Sequence, residues 1–214
     1  MIKTAIFPVG GFGTRFLPAT KSMPKEMMPV ANKPIIQYAF EEAKAAGIER
    51  FIFITGRNKN IINNHFDKSY ELEDTLDQKS KGHELESVSG WLPSEPGKIS
   101  FIRQGSPLGL GHSIWCARNF VKNEPFVVIL ADEMIYEKSP GNFLKDMIDL
   151  YQKKKERCNV ISVAKVLKSS TDKYGIISYQ DDKVIDMIEK PEIDKAPSNL
   201  AISGRYILQP EIFN

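Results

Sequence analysis

Histidine and cysteine are scarce in this 214-residue chain: His65, His83 and His112, with Cys116 and Cys158. The two cysteines lie far apart in sequence and fit no metal-ligand spacing. They read as buried small apolar residues of a protein kept in a reducing compartment. The histidines fall into no Ser/His/Asp or Cys/His arrangement, so nucleophilic catalysis of that kind has no visible basis. Charge of one sign is missing too: 29 basic residues against 27 acidic leave a net charge of +2. That is no footprint for nucleic acid or for an anionic membrane surface. No apolar run approaches the roughly 18 residues of a membrane span. The apolar start is cut by Pro8 before it reaches signal-peptide length. Neither nucleic acid nor membrane is an expected partner, and the cytoplasm is the default location.

With 42% hydrophobic and 26% charged residues, the chain can bury the core of one domain. Apolar β-rich runs fall at 4–7, 51–55, 99–102, 126–130 and 160–166. Phe51-Ile52-Phe53-Ile54 and Phe126-Val127-Val128-Ile129-Leu130 are continuous rather than alternating, as strands covered on both faces are. Helical patterns lie between them, at 34–46 (Pro34 at the first turn, Gly47 at the stop), 111–120 and 142–155. Strand and helix alternate, which predicts an α/β fold with a mainly parallel central sheet. Two parts break the rhythm. Residues 67–96 read as a short helix at 70–79 followed by a surface excursion carrying Trp91. Residues 176–179 and 184–189 read as an antiparallel hairpin with an acidic turn. Residues 204–208 read as a last strand, and 210–213 as the first turn of a helix.

The segment Pro8-Val9-Gly10-Gly11-Phe12-Gly13-Thr14-Arg15 carries the clearest functional signal. A buried strand runs straight into a glycine turn, the way α/β proteins bring backbone N–H groups up to a phosphate. Residues 1–34 hold five cations against one acid, a local excess of +4 in a chain of net +2. A P-loop is excluded because Thr14-Arg15 follows Gly13 where Lys-Ser/Thr is required. A dinucleotide fingerprint is excluded because Phe16 stands at the third glycine. On the glycines alone, a phosphate site and a plain tight turn with solvated lysines both stand. Pro18, Pro24, Pro29 and Pro34 favour the first, since an extended, proline-pinned segment bearing Arg15, Lys21 and Lys25 would hold cations rigidly over phosphates.

The pattern G-x-G-T-R-x-x-P-x-T-K…P-K-E-x-x-P resembles the signature of the sugar-nucleotide pyrophosphorylases. Within them the chain is similar to the bacterial UTP–glucose-1-phosphate uridylyltransferases. The likeness continues through Asn64-His65-Phe66-Asp67-Lys68-Ser69-Tyr70-Glu71-Leu72-Glu73, Arg103-Gln104-Gly105, Pro107-Leu108-Gly109-Leu110-Gly111-His112 and Leu130-Ala131-Asp132-Glu133. It goes on through Lys173-Tyr174-Gly175, Glu189-Lys190-Pro191 and Gly204-Arg205-Tyr206. Each motif is short; their order along the whole chain is what is specific. The stretch from His65 to Glu73 is generally absent from the related thymidylyltransferases.

The resemblance implies a Rossmann-like three-layer nucleotidyltransferase fold over residues 1–214, with a small antiparallel hairpin region. It implies conversion of UTP and glucose 1-phosphate to UDP-glucose and pyrophosphate with Mg²⁺. It makes Arg15 and Lys25 catalytic, on the β,γ-phosphates and the α-phosphate respectively, with Lys21 divided between phosphate contact and surface. Gly10, Gly11, Gly13, Gln104 and Gly109 would bind the nucleotide; Gly175, Glu189 and Lys190 would bind the sugar phosphate. Asp132 would hold the metal, with Glu133 its neighbour, and His112 would start a helix. Where relatives commonly carry alanines, this chain has Val9 and Gly10, and the bulkier Val9 is expected to shift the fit. Relatives usually continue for several more helices, which carry a second metal carboxylate and the contacts of a homo-oligomer, so a chain shortened at its C-terminus is expected. The alternatives are the same chemistry with dTTP or another sugar phosphate, and a non-catalytic nucleotide-sugar-binding module.

Overall fold

The computed structural model of the protein describes residues 2–154 and 157–214. Its first half comprises β1 (Thr4–Pro8), the two-residue strands β2 (Pro29–Val30) and β3 (Lys33–Pro34), α1 (Ile35–Ala45), β4 (Arg50–Thr55), α2 (Asn60–Phe66), α3 (Tyr70–Gln78), α4 (Gly82–Leu85) and β5 (Ile99–Arg103). The second half comprises α5 (Leu110–Trp115), β6 (Phe126–Ile129), α6 (Asn142–Lys153), β7 (Val160–Lys165), β8 (Gly175–Gln180), β9 (Lys183–Glu189) and β10 (Leu200–Leu208). Among the described residues no helix is long and apolar enough to cross a membrane.

The continuous apolar runs form the middle of an eight-stranded sheet, in the order β5-β4-β1-β6-β10-β8-β9, with β7 also pairing β10. The four strands β5-β4-β1-β6 are parallel. Successive side chains point to opposite faces, so each run feeds two cores. On one face Phe7, Phe51, Phe53, Val127 and Ile129 meet Ile36, Ala39, Phe40 and Ala43 of α1 and Leu144, Met147 and Ile148 of α6. On the other, Ile6, Ile52, Ile54, Phe126 and Val128 meet Ile114 of α5, Ala117 and Val121. This is the three-layer α/β arrangement expected. All four residues of β6 are fully buried, and burying each such side chain contributes about 1.5–3 kcal/mol.

The apolar positions of α1 follow the spacing 36, 39, 40, 43, one helical face. Gly47, left-handed at φ 89°, ends it, with Ile48 N donating to Ala43 O at 3.1 Å. The antiparallel region holds the expected hairpin, β8 and β9, and adds β7 and β10. β10 begins four residues before the strand read from the sequence. The helix expected at 111–120 ends at Trp115, because Ala117 N turns to Ile114 O at 2.9 Å, and a separate 3₁₀ turn covers Arg118–Phe120. The helix expected at 142–155 reaches Lys153; Lys155 lies outside the described residues. Residues Pro210–Phe213 form a 3₁₀ turn that stacks Phe213 on Phe126 at 5.3 Å. Cys116 and Cys158 are free but only partly buried, at the end of α5 and just before β7, so the full burial expected of them does not hold. The excursion after α2 buries no residue of α3, yet Trp91 ties it down, packing on Phe40 at 5.5 Å and stacking on His65 at 5.1 Å.

Candidate active site

Four parallel strands deliver their carboxyl ends to one crevice. β1 leads to Gly10, β4 to Gly56, β5 to Gln104 and β6 to Asp132. Strand β1 has β4 on one side and β6 on the other. It is therefore a switch point, where connections leave in opposite directions and open sheets bind their ligands.

The glycine turn and Gln104 are in contact. Val9 N donates to Ile54 O at 2.9 Å, drawing the turn against β4. A Cβ on Gly10 would lie 3.0 Å from Gln104 Oε1, and one on Gly56 would lie 2.7 Å from the Gly10 carbonyl oxygen. Gln104 N donates to Thr55 O at 2.8 Å. Its Nε2 donates to Gly109 O at 3.2 Å and meets His112 Nδ1 at 3.0 Å. This network assigns Nδ1 as acceptor and leaves Oε1 facing Gly10. Gly10, Gln104 and Gly109 are thus brought together, and Gly109 opens α5 at φ 92°. Gly56 and His112 also belong to the group. Sequence reasoning passed over Gly56, although a glycine directly after a buried strand is the same signal that marked Gly10, and it took His112 only as a helix start. Val9, expected to shift the fit, is fully buried in the α1-side core, so packing absorbs its bulk.

The loop from Gly11 to Met28 is not extended. It closes into three 3₁₀ turns, Thr14–Phe16, Ala19–Lys21 and Lys25–Met27. Pro18 and Pro24 precede the second and third, and their carbonyls accept Lys21 N at 3.0 Å and Met27 N at 2.9 Å. The prolines thus start turns rather than hold a straight chain. Gly13 has φ 65°, and Thr20 Oγ1 donates to its carbonyl at 2.7 Å. Lys25 runs beneath both glycines: a Cβ on Gly13 would lie 3.2 Å from Lys25 Cβ, and one on Gly11 4.0 Å from Lys25 Cε. The Arg15 and Lys21 side chains are exposed and make no hydrogen bond or ion pair among the described residues. Behind Lys25, Glu26 is buried and pairs with Lys59 Nζ at 2.8 Å. Burial pushes the Glu26 carboxyl above the usual carboxylate range, against the opposing pull of Lys59. This second pair anchors the Lys25 turn to the residues entering α2, and no sequence signal pointed to it.

Lys25 Nζ meets Asp132 Oδ2 at 2.5 Å, which joins the cationic loop to the end of β6. Glu133 turns away, its carboxylate accepting Gly204 N at 2.8 Å. It is a neighbour, as read from the sequence. Among the described residues no group of three or more His, Cys, Asp or Glu could hold a metal. One exposed carboxylate beside a cationic loop suits a hard divalent ion that draws its remaining ligands from phosphate and water. The donor set therefore fits Mg²⁺ arriving with a nucleotide rather than a preformed cage.

Gly175, Glu189 and Lys190 form a separate group on the β8–β9 hairpin. Gly175 pairs with Glu189 across the ladder, and Glu189 Oε2 lies 3.2 Å from the place of a Cβ on Gly175. Lys190 Nζ is 3.2 Å from Glu189 Oε1, and its backbone is left-handed at φ 48°. No hydrogen bond or ion pair joins this group to Lys25 or Asp132 among the described residues. Tyr206 on β10 has its hydroxyl pushed above its usual pKa by burial and then by the carboxylates of Glu133 and Glu189.

The model of the nucleotidyl transferase family matches residues 4–214. The UTP–glucose-1-phosphate uridylyltransferase of Bacillus subtilis (strain 168) is 48% identical over 220 residues, covering 99% of this chain and 72% of its own length. A UTP-bound UGPase from Acinetobacter baumannii superposes with a TM-score of 0.90 at 40% identity, covering 100% of this chain and 76% of that one. A UDP-glucose pyrophosphorylase complexed with UDP-glucose gives a TM-score of 0.86 at 43% identity, over 100% of this chain and 78% of that one. On its ordered motifs, its switch-point crevice and these likenesses, the chain belongs to the nucleotidyl transferase family, among the UTP–glucose-1-phosphate uridylyltransferases.

Proposed function

We propose that the chain transfers the uridylyl group of UTP to glucose 1-phosphate, releasing pyrophosphate and forming UDP-glucose. The observation that carries this reading is the Lys25–Asp132 pair at 2.5 Å, set between the glycine turn and the end of β6. A phosphate monoester, with a second pKa near 6, is largely a dianion at neutral pH. Its oxygen needs no base, which accounts for a crevice whose one histidine serves to orient Gln104. An oxygen of glucose 1-phosphate bonds to the α-phosphorus as the α-phosphorus–oxygen bond to pyrophosphate breaks. Repulsion between anions and charge on the leaving group are the barriers.

Each residue then has a task. Arg15, exposed on the Thr14–Phe16 turn, offers a planar multi-donor head to the β- and γ-phosphates. Lys25 turns from Asp132 to the α-phosphate and the incoming sugar phosphate. Asp132, so released, would hold Mg²⁺, which supplies charge neutralisation across the phosphates. Gly10, Gly11 and Gly13 bring the backbone close to the nucleotide. Gln104 Oε1 accepts from the uracil ring N–H while Gly109 lends backbone to the same edge. Glu189 holds sugar hydroxyls, Lys190 the sugar phosphate, and Gly175 the hexose edge. The two free cysteines support a reducing, cytoplasmic setting.

The test is pyrophosphate release from UTP, glucose 1-phosphate and Mg²⁺. Release that requires the sugar phosphate and is faster with UTP than with dTTP is expected. Preference for dTTP would overturn the uridylyl assignment. Binding of UDP-glucose with no release under any mixture would make the chain a binding module.

A further inference from the structure

The largest fully buried side chain is Arg205, 1% exposed, in the middle of β10. Its guanidinium carries five N–H donors, and all five are used. Nε and Nη2 grip Glu42 of α1 in a fork, at 2.8 Å to Oε1 and 2.7 Å to Oε2. Nη1 donates to Leu130 O at 3.3 Å and Gly204 O at 3.2 Å, and Nη2 donates to Glu133 O at 3.0 Å. The carbonyls of Leu130 and Glu133 bracket Asp132. Their turn is closed by Glu133 N donating to Leu130 O at 3.2 Å and fastened to β10 by Leu130 N on Gly204 O at 2.9 Å. A Cβ on Gly204 would lie 2.7 Å from Leu130 Cβ, so a side chain there would crowd the turn.

We propose that Arg205, held by Glu42, is the positioning residue that fixes the turn presenting Asp132. The proposal rests on Asp132 as the metal carboxylate. Stability alone does not call for the pair. Apolar residues of similar volume often replace a buried ion pair with no loss. They cannot, however, hold two carbonyls on either side of a ligand residue. A lysine cannot do so either, because its single ammonium reaches Glu42 and one carbonyl but lacks the planar fork. The carboxylate that meets Lys25 is thus aimed from behind by a group that touches neither substrate nor metal.

The experiment compares the full chain with R205K and with the double variant E42L/R205M, which removes both charges together and keeps the volume. Backbone hydrogen exchange of residues 130–134 and the Mg²⁺ dependence of pyrophosphate release are read side by side. Exchange at 130–134 should quicken about tenfold, the equivalent of one lost hydrogen bond, while β1 and β6 stay protected. The Mg²⁺ needed for half-maximal rate should rise about ten- to a hundredfold, with UTP affinity in the absence of metal unchanged. A folded double variant with wild-type exchange at 130–134 and wild-type Mg²⁺ dependence overturns the proposal. If the double variant does not fold, R205K decides by the same two readouts. If the wild-type chain releases no pyrophosphate, the uridylyltransferase reading fails, and the exchange at 130–134 still decides the role of Arg205.

Discussion

Replacing Lys25 by alanine should separate rate from stability. The Lys25 and Asp132 side chains are 22% and 36% exposed, and an ion pair with that much water around it contributes about 0.2–1 kcal/mol. Loss of the aliphatic stem beneath Gly11 and Gly13 adds a small packing term. A total near 1 kcal/mol lowers the melting temperature of a chain of this size by about 2–4 °C. The rate should respond on another scale. A preorganised donor aimed at charge that develops during the reaction is worth about 10²–10³ in kcat. Asp132 loses the cation it pairs with but stays exposed, so it can still take the metal, and the Mg²⁺ requirement should not rise. Steady-state pyrophosphate release and a thermal melt on the same preparation measure both quantities. A melting temperature lowered by more than about 10 °C, or a rate within about threefold of wild type, would refute the reasoning, because Lys25 would then be structural.

Three further outcomes are expected. In Gly56→Ala the new Cβ would meet the Gly10 carbonyl 2.7 Å away; overpacking against backbone costs about 1–3 kcal/mol, seen as a lower melting temperature together with a raised KM for UTP. His112→Leu removes the acceptor that orients the Gln104 amide, and KM for UTP should rise by about three- to tenfold with the melting temperature nearly constant; an unchanged KM would remove Gln104 from the nucleobase site. Burial holds the His65 imidazole below its usual pKa. The unfolded chain therefore takes up a proton near pH 6.5 that the folded chain refuses, and His65 costs stability as pH falls from about 6.5 toward the folded value. Chemical denaturation at pH 7.5 and 5.5 should show His65→Phe gaining on wild type as the pH drops, and a constant difference would contradict this.

The parallel half of the fold was legible because its runs are unbroken. Phe51-Ile52-Phe53-Ile54 and the β6 run can only be buried on both faces, and they bound the strands to within a residue. Gly10, Gln104 and Asp132 follow strands, and Lys25 and Gly109 sit in the ordered motifs beside them, so their grouping was legible from the motifs. What the sequence hid depends on distant partners. Arg205 and Glu42 lie 163 residues apart, and no local pattern marks either as buried. Glu26 and Lys59 form a pair of the same kind. The extra length of β10 was missed because Leu200-Ala201-Ile202-Ser203 shows no strong alternation, and its pairing is broken by an irregularity between Ile202 and Tyr206. The cationic loop was misread as extended because proline restrains its own φ but says little about whether the next residues curl into a 3₁₀ turn.

The identity of the nucleophile is the central claim, and oxygen tracing tests it most directly. Glucose 1-phosphate labelled with ¹⁸O at all its phosphate oxygens is incubated with unlabelled UTP, Mg²⁺ and the chain. Attack by the sugar phosphate on the α-phosphorus leaves every labelled oxygen in UDP-glucose and none in the pyrophosphate released. Label appearing in free phosphate or pyrophosphate, with unlabelled UDP-glucose, would mean that the sugar–oxygen bond is the one broken, and the roles given to Lys25 and Asp132 would be wrong.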